Sequence, residues 1–249
     1  MTIALAGLVA FMLTALVVGA RLLALWRRTR ELPELLLGAA LITVGFLCYA
    51  VGTAAKLLVV VSEDARAALT IAGLALEGLG QLPLVAFSWR VFHPRSRVAA
   101  ATAVTLAAAI VAAFAAEVET GQYLRYSDAL PASGPWIPLG LAARGAAPAW
   151  MALECFRLHA QLRRRLTVGL AEPLVVHRVA LWGAGIGASA LAYATSVGHR
   201  VVYGTGLREH VWAVSVVSML ALVSAVCLGI AYFPPEGYRR WAEGRTRSG

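Results

Sequence analysis

Two histidines near the carboxyl end of the chain are the residues whose type and spacing most suggest chemistry. His199 and His210 flank a turn at Gly204 and Gly206, and each lies five to six residues from the centre of that turn. Because the flanking segments have a helical pattern, we expect the two imidazoles at matched depth on neighbouring helices. Imidazole is the commonest metal ligand and also exchanges protons near neutral pH. The pair therefore predicts a metal or cofactor site; the alternative is two unrelated histidines at the level of lipid headgroups.

A second group of polar side chains falls inside long apolar stretches. Ionisable groups in a membrane interior are costly and usually face inward, where they pair or contact water. Glu77 with Arg144 or Lys56 is therefore expected to form a buried ion pair, which either fixes helix register or forms part of a ligand or proton site. The other members of a predicted cavity on the same helical faces are Gln81, Tyr193, Ser196 and Arg200.

Composition indicates the environment of these residues. The 249-residue chain is 60% hydrophobic with a mean hydropathy of +0.74, which is typical of an integral membrane protein. A net charge of +9 could suggest nucleic-acid binding, but the arginines cluster beside apolar segments, so we exclude nucleic acid as a partner. The sequence has no HExxH, GxSxG or P-loop motif, which argues against the corresponding enzyme classes.

The apolar segments predict an all-α bundle of seven transmembrane helices, formed by one domain over residues 1–249. Each segment is long enough to cross ~30 Å of hydrocarbon, and the first has no basic leader, so it is expected to be a retained helix and not a signal peptide. The predicted spans are Ile3–Leu25, Leu35–Val61, Ala67–Phe92, Val98–Ala116, Trp136–Leu158, Val175–Tyr203 and Glu209–Phe233.

The distribution of basic residues between the loops predicts the orientation. One side of the predicted bundle carries most of the arginines, whereas the other has only Arg66, Arg125, Arg200 and Arg208. By the positive-inside rule, the N-terminus lies outside and the C-terminus in the cytoplasm. Lys56 is the only lysine, and arginine and alanine are abundant, which suggests a GC-rich bacterial genome. The predicted location is therefore the bacterial inner membrane.

Small residues predict two close helix contacts. Ala101, Thr105, Ala109 and Ala113 repeat at four-residue spacing, which fits packing within the bundle or a homo-oligomer face. Gly183 and Gly187 either let a neighbouring helix approach or leave room for a flat ligand.

The opposite end of the predicted helices carries His93, His159 and His177. These histidines could meet at Glu154, although we favour solvated interfacial residues because each lies among arginines.

The predicted topology is similar to that of microbial rhodopsins and G-protein-coupled receptors. A retinal protein would need a lysine in the seventh helix, which has none, so retinal is excluded. The segments FSWRVFHP (Phe87–Pro94) and RRRLTVGLAEPLVVHRVALWG (Arg163–Gly183) resemble those of uncharacterised bacterial seven-helix membrane proteins. That resemblance extends to bacterial seven-helix haemoproteins.

Three functional hypotheses follow. The first is haem b, bound in the outer half of the bundle for sensing or electron transfer, with His199 as the favoured axial ligand and His210 as a second. The second is a haem-free, receptor-like sensory bundle that signals to a cytoplasmic partner through the connector Arg163–Glu172. The third is a proton-linked carrier that uses Glu77.

Overall fold

The chain folds into helices that follow one another along an apolar bundle. The computed structural model describes residues 2–57, 62–121, 136–203 and 210–244, and within these ranges it contains helices and no strand. The helices are α1 (Thr2–Thr29), α2 (Leu32–Ala40, a π-helical stretch Leu41–Cys48, then Tyr49–Leu57), α3 (Glu63–Phe87, extended by the π-helical turn Ser88–Phe92), α4 (Arg97–Glu119), α5 (Trp136–Leu166), α6 (Pro173–Tyr203), α7 (Val211–Tyr232) and α8 (Glu236–Gly244).

Six of these helices, namely α1, α2, α3, α4, α6 and α7, are long and apolar enough to cross a membrane. Their outward faces carry large apolar side chains such as Leu13, Val104 and Met219, which are 54%, 64% and 68% exposed. An apolar surface of this extent suits a multi-pass membrane protein, because lipid is its natural solvent. This agrees with the all-α and membrane character expected from the sequence.

The helix α5 differs from the other six long helices. It forms as predicted, but it contains the charged residues Arg144, Glu154 and Arg157. It is not one of the six helices that are long and apolar enough to cross a membrane. A seventh span and the orientation of the termini therefore stay predictions.

Local sequence signals set several helix ends. Ser62 and Ser96 cap α3 and α4, where their hydroxyl oxygens accept hydrogen bonds from the backbone N–H groups of Ala65 and Ala99 at 3.3 and 3.2 Å. The helix α7 ends just before Pro234 and Pro235, which cannot continue it. Other ends differ from the prediction: α4 continues past Ala116 to Glu119, and α5 continues past Leu158 to Leu166.

Consecutive helices pack against one another, and α1 closes the bundle against α7. The helix α6 lies between α5 and α7, while α3 contacts α2, α4 and α5. Neighbouring helices run in opposite directions, as the contacts of Gly183 and Gly187 on α6 with Phe156 and Ala152 on α5 show by their reversed order. We call the end that carries His199 and His210 the histidine end, and the end that carries Arg27, Arg97 and Arg163 the arginine-rich end.

The small-residue ridge of α4 does not form one exposed face. Ala101 and Thr105 are exposed, whereas Ala113 is fully buried. Each four-residue step on an α-helix advances by about 40° beyond a full turn, which carries the ridge from the surface into the interior. Ala113 thus packs within the bundle, and an oligomer face on α4 stays a prediction.

Candidate functional site

The most unusual feature of the interior is a buried ion pair between α4 and α5. Arg144 and Glu117 are each only 2% exposed. The Nη2 atom of Arg144 lies 2.9 Å from Oε1 of Glu117, and Nη1 lies 3.3 Å from Oε2. The guanidinium therefore donates to both carboxylate oxygens in the bidentate geometry that gives the strongest charge-assisted hydrogen bonds.

A second carboxylate shares the same arginine from α3. Oε1 of Glu77 lies 3.9 Å from Nε of Arg144, which is within ion-pair range but too long for a hydrogen bond. Nε of Arg144 has no hydrogen-bond partner among the described residues. Gln81 lies one turn farther along α3, is 4% exposed, and its buried Oε1 likewise lacks a partner within the described ranges. Glu77 is thus held by charge and not by hydrogen bonds to the guanidinium.

Two glycines of α5 provide the space for this cluster. A Cβ atom on Gly140 would lie 2.6 Å from Oε1 of Glu117 and 3.0 Å from Nη2 of Arg144. A Cβ atom on Gly145 would lie 3.0 Å from the ring of Tyr193, which approaches from α6. Since all three distances are shorter than ordinary contacts, larger residues at Gly140 or Gly145 would displace the ion pair or the tyrosine.

The sequence predicted part of this cluster. The structure brings Glu77 into ion-pair range of Arg144, as expected, but the hydrogen-bonded partner is Glu117, which lies just beyond the predicted end of the fourth span at Ala116. The signal for Glu117 was its spacing, because it continues the buried face of α4 through Ile110 and Ala113. The side chain of Lys56, the other predicted partner, lies outside the described residues.

The two histidines meet at the histidine end, as their spacing predicted. Nε2 of His199 lies 2.9 Å from Nδ1 of His210, so one imidazole donates a hydrogen bond to the other. The rings of Tyr203 and Trp212 pack against His199 at 4.9 and 5.8 Å between centroids. His199 is 3% exposed, and its Nδ1 has no hydrogen-bond partner in the described part of the chain.

This arrangement gives haem no support. Two axial ligands lie on opposite sides of a porphyrin, and imidazoles that hydrogen-bond to each other leave no room for a ring between them. No group of three or more histidine, cysteine, aspartate or glutamate side chains forms a metal site within the described ranges. Haem b bound by His199 or His210 therefore stays a prediction.

Gly183 and Gly187 of α6 allow a neighbouring helix to pack closely and do not form a slot for a flat ligand. A Cβ atom on Gly183 would lie 3.1 Å from the ring of Phe156 and 3.2 Å from Cβ of Cys155. A Cβ atom on Gly187 would lie 3.8 Å from both Ala152 and Phe156, again on α5. Of the two alternatives left open by the sequence, the approach of a neighbouring helix is the one observed.

Ser196 and Arg200, two further residues of the predicted cavity, lie on α6. The hydroxyl of Ser196 donates to the carbonyl oxygen of Ala192 in its own helix at 2.8 Å, and Arg200 is half-buried on α6. Two clefts of the described chain lie at the arginine-rich end, one beside Arg178 and one beside Arg163. Neither is lined by a residue of the predicted cavity.

At the arginine-rich end, Glu154 gathers polar partners from α3 and α5. Nε2 of His93 lies 3.1 Å from Oε2 of Glu154, and Nη1 of Arg157 lies 2.7 Å from Oε1. His159 instead contacts the carbonyl oxygen of Val176, and His177 packs against aromatic rings of α8. Of the three histidines, His93 is thus the one placed beside Glu154 in the described structure.

Comparison of the chain with protein-family models, with curated proteins and with solved structures found no match. The resemblance to bacterial seven-helix proteins therefore rests on the sequence segments and stays a prediction.

Proposed function

We propose that this is a proton-linked membrane carrier in which Glu77 binds and releases the proton. The observation that supports this is that two carboxylates, Glu77 and Glu117, share the single guanidinium of Arg144 inside an apolar bundle. With both carboxylates ionised, the cluster carries one net negative charge. Removing an uncompensated charge from water costs several kcal/mol. Uptake of one proton makes the cluster neutral and removes that cost.

The geometry indicates which carboxylate takes the proton. Glu117 accepts two hydrogen bonds from Arg144, and those bonds stabilise its ionised form. Glu77 has only the longer contact at 3.9 Å, and its side chain is 20% exposed whereas that of Glu117 is 3% exposed, which makes Glu77 the more accessible of the two carboxylates. Glu77 is therefore the exchangeable member of the cluster, and Glu117 is the fixed counter-ion.

Deprotonation of Glu77 would change the forces between helices. An ionised Glu77 attracts Arg144 and competes with Glu117 for it, which draws α3 towards α5 and weakens the contact between α5 and α4. A change in ion pairing that stabilises one of two helix arrangements shifts the equilibrium between them. This is how proton binding would be linked to movement of a second solute.

Proton movement in proteoliposomes tests the proposal. We expect protein reconstituted with a pH-sensitive dye in the lumen to dissipate an imposed pH gradient faster than empty vesicles do when an extract of small cellular solutes is supplied, because a coupled carrier moves protons together with its solute. Glu77→Gln keeps the shape of the side chain but cannot exchange a proton, so the added flux should disappear. Glu63→Gln, at the exposed start of the same helix, is the matched control and should behave like the wild type. Wild-type flux in the Glu77→Gln variant would contradict the proposal.

The haem hypothesis is tested separately by an absorption spectrum. It predicts a Soret band in protein purified after haem supplementation, and loss of that band in His199→Ala. A featureless spectrum from supplemented wild-type protein would exclude it without affecting the proposal for Glu77.

A further inference from the structure

We propose that a cleft between α6, α7 and α8 at the arginine-rich end binds one anionic phospholipid, whose phosphate contacts Arg178. The cleft is a shallow surface groove with no enclosed cavity, and about 160 Å³ of space lies between its walls, part of it open to the surroundings. Its apolar wall consists of Leu174 and Leu181 from α6 and of Ile230 and Ala231 from α7. The guanidinium of Arg178 adds a fixed positive charge to this apolar wall, and that combination matches a lipid phosphate with the first part of its acyl chain.

The pairing of arginines supports an external anion at Arg178. Arg144 and Arg157 each pair with a buried carboxylate, namely Glu117 and Glu154. Arg178 is half-buried, yet no carboxylate of the described residues lies within ion-pair distance of it. A partly desolvated guanidinium needs a counter-ion, and phosphate accepts its donors in the same bidentate way as a carboxylate does.

Two tyrosines next to Arg178 add hydrogen-bond donors. Tyr238 lines the same cleft from α8. Partial burial, and then the nearby Cys227 thiol, raise the pKa of Tyr238, so its hydroxyl stays protonated and can donate to an anion. Tyr232 lies within electrostatic range of Arg178, and its buried hydroxyl has no hydrogen-bond partner within the described ranges.

The surroundings of the cleft favour a lipid over a soluble anion. The short helix α8 turns the rings of Tyr238 and Trp241 towards His177 and leaves Arg239 and Arg240 exposed. A helix with aromatic rings on the face towards the bundle and arginines on the exposed face is typical of a helix that lies at a membrane surface. Clustered arginines beside apolar spans attract anionic headgroups, so the occupant should be an anionic phospholipid of the surrounding bilayer.

Lipid binding to the delipidated, full-length protein tests this site. We expect phosphatidylglycerol to raise the melting temperature in detergent and to remain as one bound molecule in native mass spectrometry, whereas phosphatidylcholine does neither. Arg178→Gln should weaken phosphatidylglycerol binding about tenfold, while Arg178→Lys should retain part of it. The matched control Arg27→Gln removes an exposed arginine of the same end that does not line the cleft, and it should bind as the wild type does.

Three outcomes would overturn the proposal. Equal stabilisation of the wild type by phosphatidylcholine would mean that any lipid suffices. Equal stabilisation by millimolar inorganic phosphate would mean a site for free anions. An equal loss of binding in Arg27→Gln would mean a diffuse charge effect of the whole end. Because two of these outcomes need only wild-type protein, the proposal stays testable if Arg178→Gln does not fold.

Discussion

At the scale of single residues, the charges of Glu77, Glu117 and Arg144 offset one another inside an apolar bundle, where an unpaired charge is costly. Glu77 and Arg144 were predictable because ionisable residues are rare within apolar segments and must find partners there. Glu117 was not predicted as a partner, because a polar sequence follows it and the helix was expected to end at Ala116. Which carboxylate receives the two hydrogen bonds depends on rotamers and on the space left by Gly140, and neither can be read from spacing.

Removal of the Arg144 guanidinium should strongly destabilise the folded protein. Arg144→Met leaves Glu117 buried without its counter-ion, which typically costs about 3–5 kcal/mol when one partner of a buried pair is removed. We expect a large fall in the melting temperature of the detergent-solubilised protein.

The double variant Arg144→Met with Glu117→Leu separates charge from shape. Because apolar replacement of a whole buried pair is often neutral or stabilising, the double variant should recover most of the lost stability. A double variant less stable than Arg144→Met alone would show that the pair contributes more than charge balance.

At the scale of helices, the positions of the helices along the chain were easier to predict from the sequence than the contacts between them. All seven predicted segments are helical in their described parts, apart from His210 and Phe233 at the ends of the seventh, because apolar length and proline stops determine that much. The π-helical stretch Leu41–Cys48 was not predicted, since nothing in its composition distinguishes it from an ordinary apolar helix. It matters for packing because Gly80 of α3 lies directly against Thr43 and Val44 of this stretch.

Gly80→Ala should loosen the contact between α2 and α3. A Cβ atom on Gly80 would lie 2.8 Å from the backbone nitrogen of Val44, and backbone cannot move aside as a flexible side chain can. Overpacking of this kind costs about 1–3 kcal/mol, and the melting temperature should fall accordingly.

Gly52→Ala on α2 is the matched control for this substitution. A Cβ atom on Gly52 would have no neighbour within 4 Å, and alanine favours a helix over glycine by about 1 kcal/mol. This variant should be as stable as the wild type or more so. If both alanine variants melted alike, the close approach at Gly80 would be wrong.

At the scale of the whole molecule, the open questions are the number of membrane crossings and their direction. The sequence predicts seven crossings with a cytoplasmic C-terminus, and the structure has six helices apolar enough to cross, together with α5. The two alternatives differ in whether Gly121, which follows α4, lies on the same side of the membrane as the C-terminus. If α5 crosses, three helices separate the two points, and they lie on opposite sides. If it does not, they lie on the same side.

Fusions of a fluorescent protein and of alkaline phosphatase distinguish the two topologies. We expect a fusion at the C-terminus to fluoresce and to lack phosphatase activity, because the arginine-rich end should face the cytoplasm. A fusion after Gly121 should show the reverse. The same reporter active at both points would show that α5 does not cross.

The π-helical stretch of α2 also has a consequence for comparing this chain with other sequences. A π-helical turn accommodates an extra residue, so a helical wheel with 3.6 residues per turn loses phase there by about 100°. Side chains before Leu41 and after Cys48 should therefore not be placed on one helical wheel. For example, the face of α2 that carries Lys56 cannot be assigned by counting from residues near Leu35. A homologue one residue shorter within Leu41–Cys48 could keep every other contact of α2. A single-residue gap at this position in an alignment would therefore mark a restored regular helix and not a damaged protein.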